Sequence, residues 1–172
     1  VEIAAKKFDP QCDIVLQTEQ LGTGHAVAQA RTALKDFSGN VVVLYGDTPL
    51  IQPETLQALT ACLETSMVAV LGFEAADPGR YGRLLADGDV LEQIVEYKDA
   101  TDAQRAITLC NSGVMAASAD ALFDLLDAVD NQNASGEYYL TDIVGLARAK
   151  GQLCKVVRCT EAETLCVNSR VE

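Results

Sequence analysis

A chain of 172 residues with 49% hydrophobic and 22% charged side chains has enough apolar material to bury one core, which excludes a disordered chain. Its formal charge of −12, with 13 Lys and Arg against 25 Asp and Glu, excludes the clustered basic surface that phosphate-backbone binding requires, so nucleic acid is not an expected partner. No apolar run reaches the roughly 18–20 residues of a membrane span, so membrane insertion is not expected either.

In chain order, "VEIAAKKFDPQCD" has no apolar core followed by a small-residue cleavage site, and so does not read as a signal peptide. It begins with Val1 rather than methionine, so the sequence is expected to start inside a longer protein. "DIVLQ" (13–17) reads as a short buried strand. "HAVAQARTALKDF" (25–37) places Ala26, Ala30 and Leu34 on one helical face, with Thr23 or Gly24 as caps. "NVVVLYGD" (40–47) is an uninterrupted β-branched run, the pattern of a strand buried on both faces, which favours a parallel sheet. "PETLQALTACLE" (53–64) opens with proline at a first helical position and carries Leu56, Leu59 and Leu63 at helical spacing. "MVAVLGFEA" (67–75) is a further buried strand, and residues 81–98 read as a hairpin around an Asp-Gly turn. A strand over 106–118, helices over 119–129 and 139–150, and a strand over 151–160 complete the pattern. Alternating β and α elements give a doubly wound α/β sheet, mostly parallel, with an inserted β-hairpin. Ligands in such sheets sit beyond the carboxyl ends of strands.

That rule directs attention to a few residues. Asp47 directly follows a strand, where its carboxylate is either a ligand for a hard cation such as Mg²⁺ or part of an Asp-Thr-Pro turn. "QTEQLGTGHAVAQA" (17–30) carries two glycines ahead of a helix, but the third position of a dinucleotide fingerprint falls on Val27, and the Gly-Lys-Ser/Thr ending of a P-loop is missing. What remains is a close backbone approach at a helix N-terminus, flanked by Gln17, Glu19 and Gln20, whose amides suit a base edge. His25, the single histidine, has no nucleophile motif beside it and reads as structural. Glu96, Lys98 and Asp99 end the hairpin. Asn111 sits mid-strand and needs a partner, either a ligand hydroxyl or the backbone. Asn168 is either a helix cap or a metal ligand. Six cysteines without a C-x-x-C pair, alongside one histidine, read as reduced thiols of a cytoplasmic protein.

Together "LQTEQLGTGHAVAQA", "VVVLYGDTPLI", "YGRLL", "IVEYKDAT", "CNSGVMAA", "GEYYLTDIVGLA" and "VNSR" resemble, in order and spacing, the uridylyltransferase domain of the bacterial bifunctional GlmU family. That family joins N-acetylglucosamine-1-phosphate uridylyltransferase to glucosamine-1-phosphate acetyltransferase. The resemblance covers essentially the whole chain as one partial nucleotidyltransferase domain (1–172). It implies a Rossmann-like, three-layer nucleotide-diphospho-sugar transferase fold. It also implies a cytoplasmic, Mg²⁺-dependent transfer from UTP to N-acetylglucosamine 1-phosphate. The product, UDP-N-acetylglucosamine, feeds peptidoglycan and lipopolysaccharide precursors.

By the same resemblance, Gln17, Gly22 and Thr23 match uracil-recognising positions, and Tyr45, Gly46 and Asp47 the segment beside ribose, phosphate and metal. Asp47 and Asn168 match the Mg²⁺ pair, with Asp47 the catalytic position. Gly82, Glu96 and Asn111 match contacts to the sugar, and Tyr139 and Thr141 lie in a segment lining its pocket. The family's opening strand and glycine-rich phosphate loop, "LAAGxGTRM", have no counterpart before Val1. Nor does the C-terminal β-helix, which carries acetyl transfer and homotrimer contacts. The expectation is therefore a fragment that is inactive alone. Cys166 stands where the family commonly has glycine.

Overall fold

The structure, a computed structural model, describes residues 2–167. Six strands form one sheet: β1 (Asn40–Val43), β2 (Val68–Glu74), β3 (Arg83–Asp87), β4 (Val90–Val95), β5 (Leu109–Ser118) and β6 (Cys154–Cys159), in the order β1-β5-β2-β6-β4-β3. The helices are α1 (Glu2–Phe8), α2 (Thr23–Ala28), α3 (Pro53–Ala61), α4 (Asp102–Arg105), α5 (Ala119–Leu126) and α6 (Asp142–Ala149).

The pleat of β2 sorts the core into two. Val68 and Val70 face one cluster with Met115, Leu122, Leu125, Ile143 and Val144, so α5 and α6 cover that side. Ala69 and Leu71 face the other with Leu59, Val114 and Ala116, which seats α3. Period-two alternation with both faces apolar therefore produces three layers, helix on sheet on helix, as expected of a Rossmann-like α/β fold.

The mostly parallel sheet is corrected to a mixed one. β2 and β6 pair parallel, while β5 lies antiparallel between β1 and β2, and the β3–β4 hairpin adds antiparallel pairings at the far edge. The registers still make β1, β2, β3 and β6 run one way and β4 and β5 the other. Burial on both faces marks a central strand of either kind, so the apolar runs carried no information on direction.

Several element boundaries also moved. Residues 13–17 do not form a strand. Val15 and Leu16 are exposed, and no described strand lies beside them to complete the backbone pairing that an extended segment needs. The helix expected over 25–37 starts at Thr23 and is α-helical only to Ala28, then tightens into a 3₁₀ turn over Gln29–Arg31. Its cap is Gly22, not Thr23 or Gly24. β1 stops at Val43 because its partner bulges: Val70 and Gly72 of β2 face Met115 and Asn111 of β5, leaving residues 112–114 outside the ladder. The hairpin turns at Gly88, φ +64, as its Asp-Gly signal indicated. Helix α4, set by a Thr101–Gln104 capping box, was not expected.

Candidate functional site

The chain leaves β1, β4 and β6 toward a cleft of about 420 Å³ that also takes in the first part of β5. Thr23, Tyr45, Asp47, Gly82, Glu96, Asn111 and Thr141 line it together. A second groove of about 330 Å³, lined by Gln17, Gln20, Gly22, Thr23, Ala26 and Glu137, shares Thr23 and Glu137 with the first.

One wall is a knot of polar groups at the end of β4. Glu96 follows the last residue of that strand, and its Oε1 accepts a hydrogen bond from Thr141 Oγ1 at 3.0 Å. Burial pushes the Glu96 carboxyl up; the Thr141 hydroxyl opposes this, and the charge of Asp99 adds to it. Gly82 lies directly against this carboxylate: a Cβ there would stand 3.4 Å from both Glu96 oxygens and 3.5 Å from Asn111 Cβ. Asn111 is buried, its N–H donates to the Gly82 carbonyl at 2.9 Å, and its Oδ1 accepts from Gly113 N–H at 2.9 Å. The backbone thus takes one end of the Asn111 amide, and the amino end remains for the cleft. Asp142, next to Thr141, is raised to about 6 by burial and then by the charges of Asp130, Glu96 and Asp99.

A second group of lining residues follows β1. Tyr45 lays its ring over Gly113, φ +86, where a Cβ would come within 2.0 Å of Cε2. Burial, then the charges of Glu96 and Asp47, raises the Tyr45 hydroxyl. Asp47 does sit in a turn: Thr48 donates to the Tyr45 carbonyl through both N–H (3.3 Å) and Oγ1 (3.0 Å). Its exposed carboxylate nevertheless lines the cleft, so the turn does not take it away from that space. Gly46 is exposed in the same turn and does not line the cleft. The Asp47 carbonyl accepts the N–H of Val167 at 2.7 Å, joining the end of the described chain to this turn. Asn168 lies outside the described residues.

The glycines of "LGTGHA" answer to packing. A Cβ on Gly22, φ +117, would stand 2.6 Å from the Tyr138 carbonyl oxygen, and one on Gly24 3.0 Å from the same atom. Gly24 N–H donates to that carbonyl at 2.8 Å, and Thr23 Oγ1 accepts from Leu140 N–H at 3.0 Å. The loop is therefore docked backbone to backbone on the 138–140 segment. Gln17 Nε2 contacts the Gly22 carbonyl (3.0 Å) and His25 Nδ1 (3.1 Å), while Gln29 meets His25 Nε2 at 3.2 Å. His25 braces two glutamines, as its structural reading required.

Among the described residues no three His, Cys, Asp or Glu side chains cluster as a cage for a metal. The Asp47 carboxylate instead suits a cation such as Mg²⁺, which keeps most of its oxygen shell from water and phosphate and takes one or two protein carboxylates. Sequence reasoning passed over Glu137, which borders both grooves, Arg80 on the rim, and Gly113, whose missing side chain makes room for Tyr45. A glycine inside the strand pattern of "CNSGVM" was the available signal for that bulge.

A MobA-like NTP transferase domain is matched over residues 2–123. Curated relatives include the bifunctional protein GlmU of Roseobacter denitrificans, 62% identical over 172 residues, and that of a Ruegeria species, 59% identical. In both cases all of this chain is covered, and it spans 38% of the relative's length. Among solved structures, the inositol-1-phosphate CTP transferase of T. maritima superposes with a TM-score of 0.69 at 14% identity, covering 99% of this chain and 68% of that one. A UDP-glucose pyrophosphorylase complexed with UDP-glucose gives 0.65 at 19%, covering 91% and 63%. At such identities these two establish the fold alone. With the family match spanning most of the sequence, the chain belongs to the MobA-like NTP transferase domain family of nucleotidyltransferases.

Proposed function

We propose that the protein transfers the uridylyl group of UTP to N-acetyl-α-D-glucosamine 1-phosphate, releasing pyrophosphate and forming UDP-N-acetylglucosamine for cell-wall precursor synthesis in the cytoplasm. The observation that carries this reading is the cleft of about 420 Å³, in which the exposed carboxylate of Asp47 lines the same space as the polar group of Gly82, Glu96, Asn111 and Thr141. The similarity to bifunctional GlmU proteins at 62% and 59% identity supports a nucleotide-sugar product.

In this reading the groove around Gln17, Gly22 and Thr23 takes the uracil. Glu96, oriented by Thr141, accepts from sugar hydroxyls, while the Asn111 amino group donates to the sugar. The acceptor phosphate is already an anion, so no general base is needed, and the protein's task is alignment of the acceptor oxygen with the α-phosphorus. Mg²⁺, held by Asp47 and Asn168, would supply charge neutralisation on the phosphates.

The test is pyrophosphate release by the protein carrying this sequence, with UTP, CTP and dTTP each offered against N-acetylglucosamine 1-phosphate and glucose 1-phosphate. Preference for UTP with the N-acetylated sugar is expected. Asp47→Ala should lower kcat by roughly a hundredfold or more at saturating Mg²⁺, the scale seen when one charge-stabilising group is removed. An unchanged rate would remove Asp47 from the metal site.

A further inference from the structure

An acceptor that carries a phosphate enters a cleft walled by the carboxylates of Asp47, Glu96 and Glu137, in a chain whose net charge is −12. Among the described residues lining that cleft, Arg80 is the single cation. It is also the one arginine among the described residues without a hydrogen bond or ion pair in the protein. Arg31 pairs with Asp127, Arg105 with Asp102, Arg148 with Glu92 and Arg158 with Glu74, while Arg83 is spent on carbonyls.

The base on which Arg80 stands is rigid. Pro78, Gly79, Arg80 and Tyr81 form a turn closed by Tyr81 N–H to the Pro78 carbonyl at 3.1 Å, with Gly79 at φ +43. The carbonyls on both sides of Arg80, those of Gly79 and Tyr81, accept from the guanidinium of Arg83, which is 1% exposed and also reaches the Arg105 carbonyl. The Tyr81 ring packs edge-on against Phe73 at 5.0 Å. A buried arginine thus fixes the backbone, and the next arginine along extends from it with its donors unspent.

Its neighbours are those assigned above to the acceptor. Arg80 borders the cleft beside Gly82, Glu96 and Tyr139, on the sugar wall, and it borders an adjoining cavity of about 390 Å³ that contains Lys98. It does not line the groove of Gln17 and Gly22. We propose that Arg80 binds the phosphate of the sugar 1-phosphate acceptor and holds it against the repulsion of the surrounding carboxylates. This assignment rests on the nucleotidyl-transfer reading above. A guanidinium presents paired N–H donors that match two phosphate oxygens, which an ammonium reproduces only as a point charge.

The experiment uses Arg80→Gln and Arg80→Lys in the protein carrying this sequence. Steady-state kinetics should give an acceptor KM raised roughly ten- to a hundredfold in Arg80→Gln, with the KM for UTP unchanged and partial recovery in Arg80→Lys. Calorimetry with N-acetylglucosamine 1-phosphate should show the same loss of affinity without relying on turnover, while N-acetylglucosamine lacking the phosphate binds both forms alike. An unchanged acceptor affinity, or an equal rise in both KM values, overturns the assignment. If the unsubstituted protein binds the sugar phosphate but transfers no nucleotide, the reaction proposed above falls, and the calorimetric comparison still decides the role of Arg80.

Discussion

Gly113→Ala separates the two demands that the bulge in β5 places on one residue. The first is conformational: φ is +86, and a left-handed backbone costs an L-residue about 1–2 kcal/mol. The second is steric. The new Cβ would lie 2.0 Å from Tyr45 Cε2 and 2.7 Å from Cδ2, so to reach an ordinary contact of about 3.5 Å the ring must retreat by about 1.5 Å. Overpacking of that kind costs about 1–3 kcal/mol. Gly88→Ala is the control: φ is +64, and nothing lies within 4 Å of its would-be Cβ, so it carries the conformational cost alone. Both variants should lose stability, Gly113→Ala by about 2–5 kcal/mol and Gly88→Ala by about 1–2, measured by urea denaturation. At roughly 2–4 °C per kcal/mol for a chain of this size, the first should melt about 4–20 °C lower and the second about 2–8 °C lower. In the transferase assay Gly113→Ala should also raise KM, because Tyr45 lines the cleft, whereas Gly88→Ala should leave it alone. Equal losses of stability with identical KM values would refute the account of Gly113 as the seat of the Tyr45 ring.

Arg83→Met should be strongly destabilising, by about 3 kcal/mol or more. It leaves the Gly79, Tyr81 and Arg105 carbonyls without their donor inside the protein, at about 1–3 kcal/mol for each unsatisfied group; a melting temperature within about 2 °C of the parent would argue against the clamp. Asp142 titrates near 6 in the fold, above the roughly 3.9 of an unfolded aspartate, so the folded state holds the proton more tightly and stability falls as pH rises from about 4 to 6. Asp142→Asn should therefore melt higher than the parent at pH 7.5, and the difference should vanish near pH 4; a pH-independent difference would show that relief of charge is not the cause.

The layer architecture was legible from the residues. "MVAVLGFEA" supplies Val68 and Val70 to one face and Ala69 and Leu71 to the other, and local alternation is enough to demand helices on both sides of a sheet. The Asp-Gly turn of the hairpin and the turn at Asp47 were legible for the same reason: each depends on neighbours a few residues away. The strand before Asp47 was read too long, since β1 ends at Val43 and Asp47 lies four residues beyond it. The glycines around Thr23 were visible as a close backbone approach, but not what approached them, since Tyr138 lies more than a hundred residues downstream.

What only the tertiary structure decided is pairing at a distance. Nothing in an apolar run specifies direction, so the insertion of β5 between β1 and β2, and with it the mixed sheet, emerged only once the strands were laid side by side. "DIVLQ" has strand composition but no described neighbour, and composition cannot supply one. The bulge at residues 112–114 brings Asn111 to the cleft beside Gly82 and Glu96 and Gly113 beneath Tyr45, from strands whose registers are set by packing over the whole sheet. The union of Gly82, Glu96, Asn111 and Thr141 into one wall has the same origin. Each residue type was chemically apt in the sequence, and the hydrogen bonds between segments tens of residues apart made them a site.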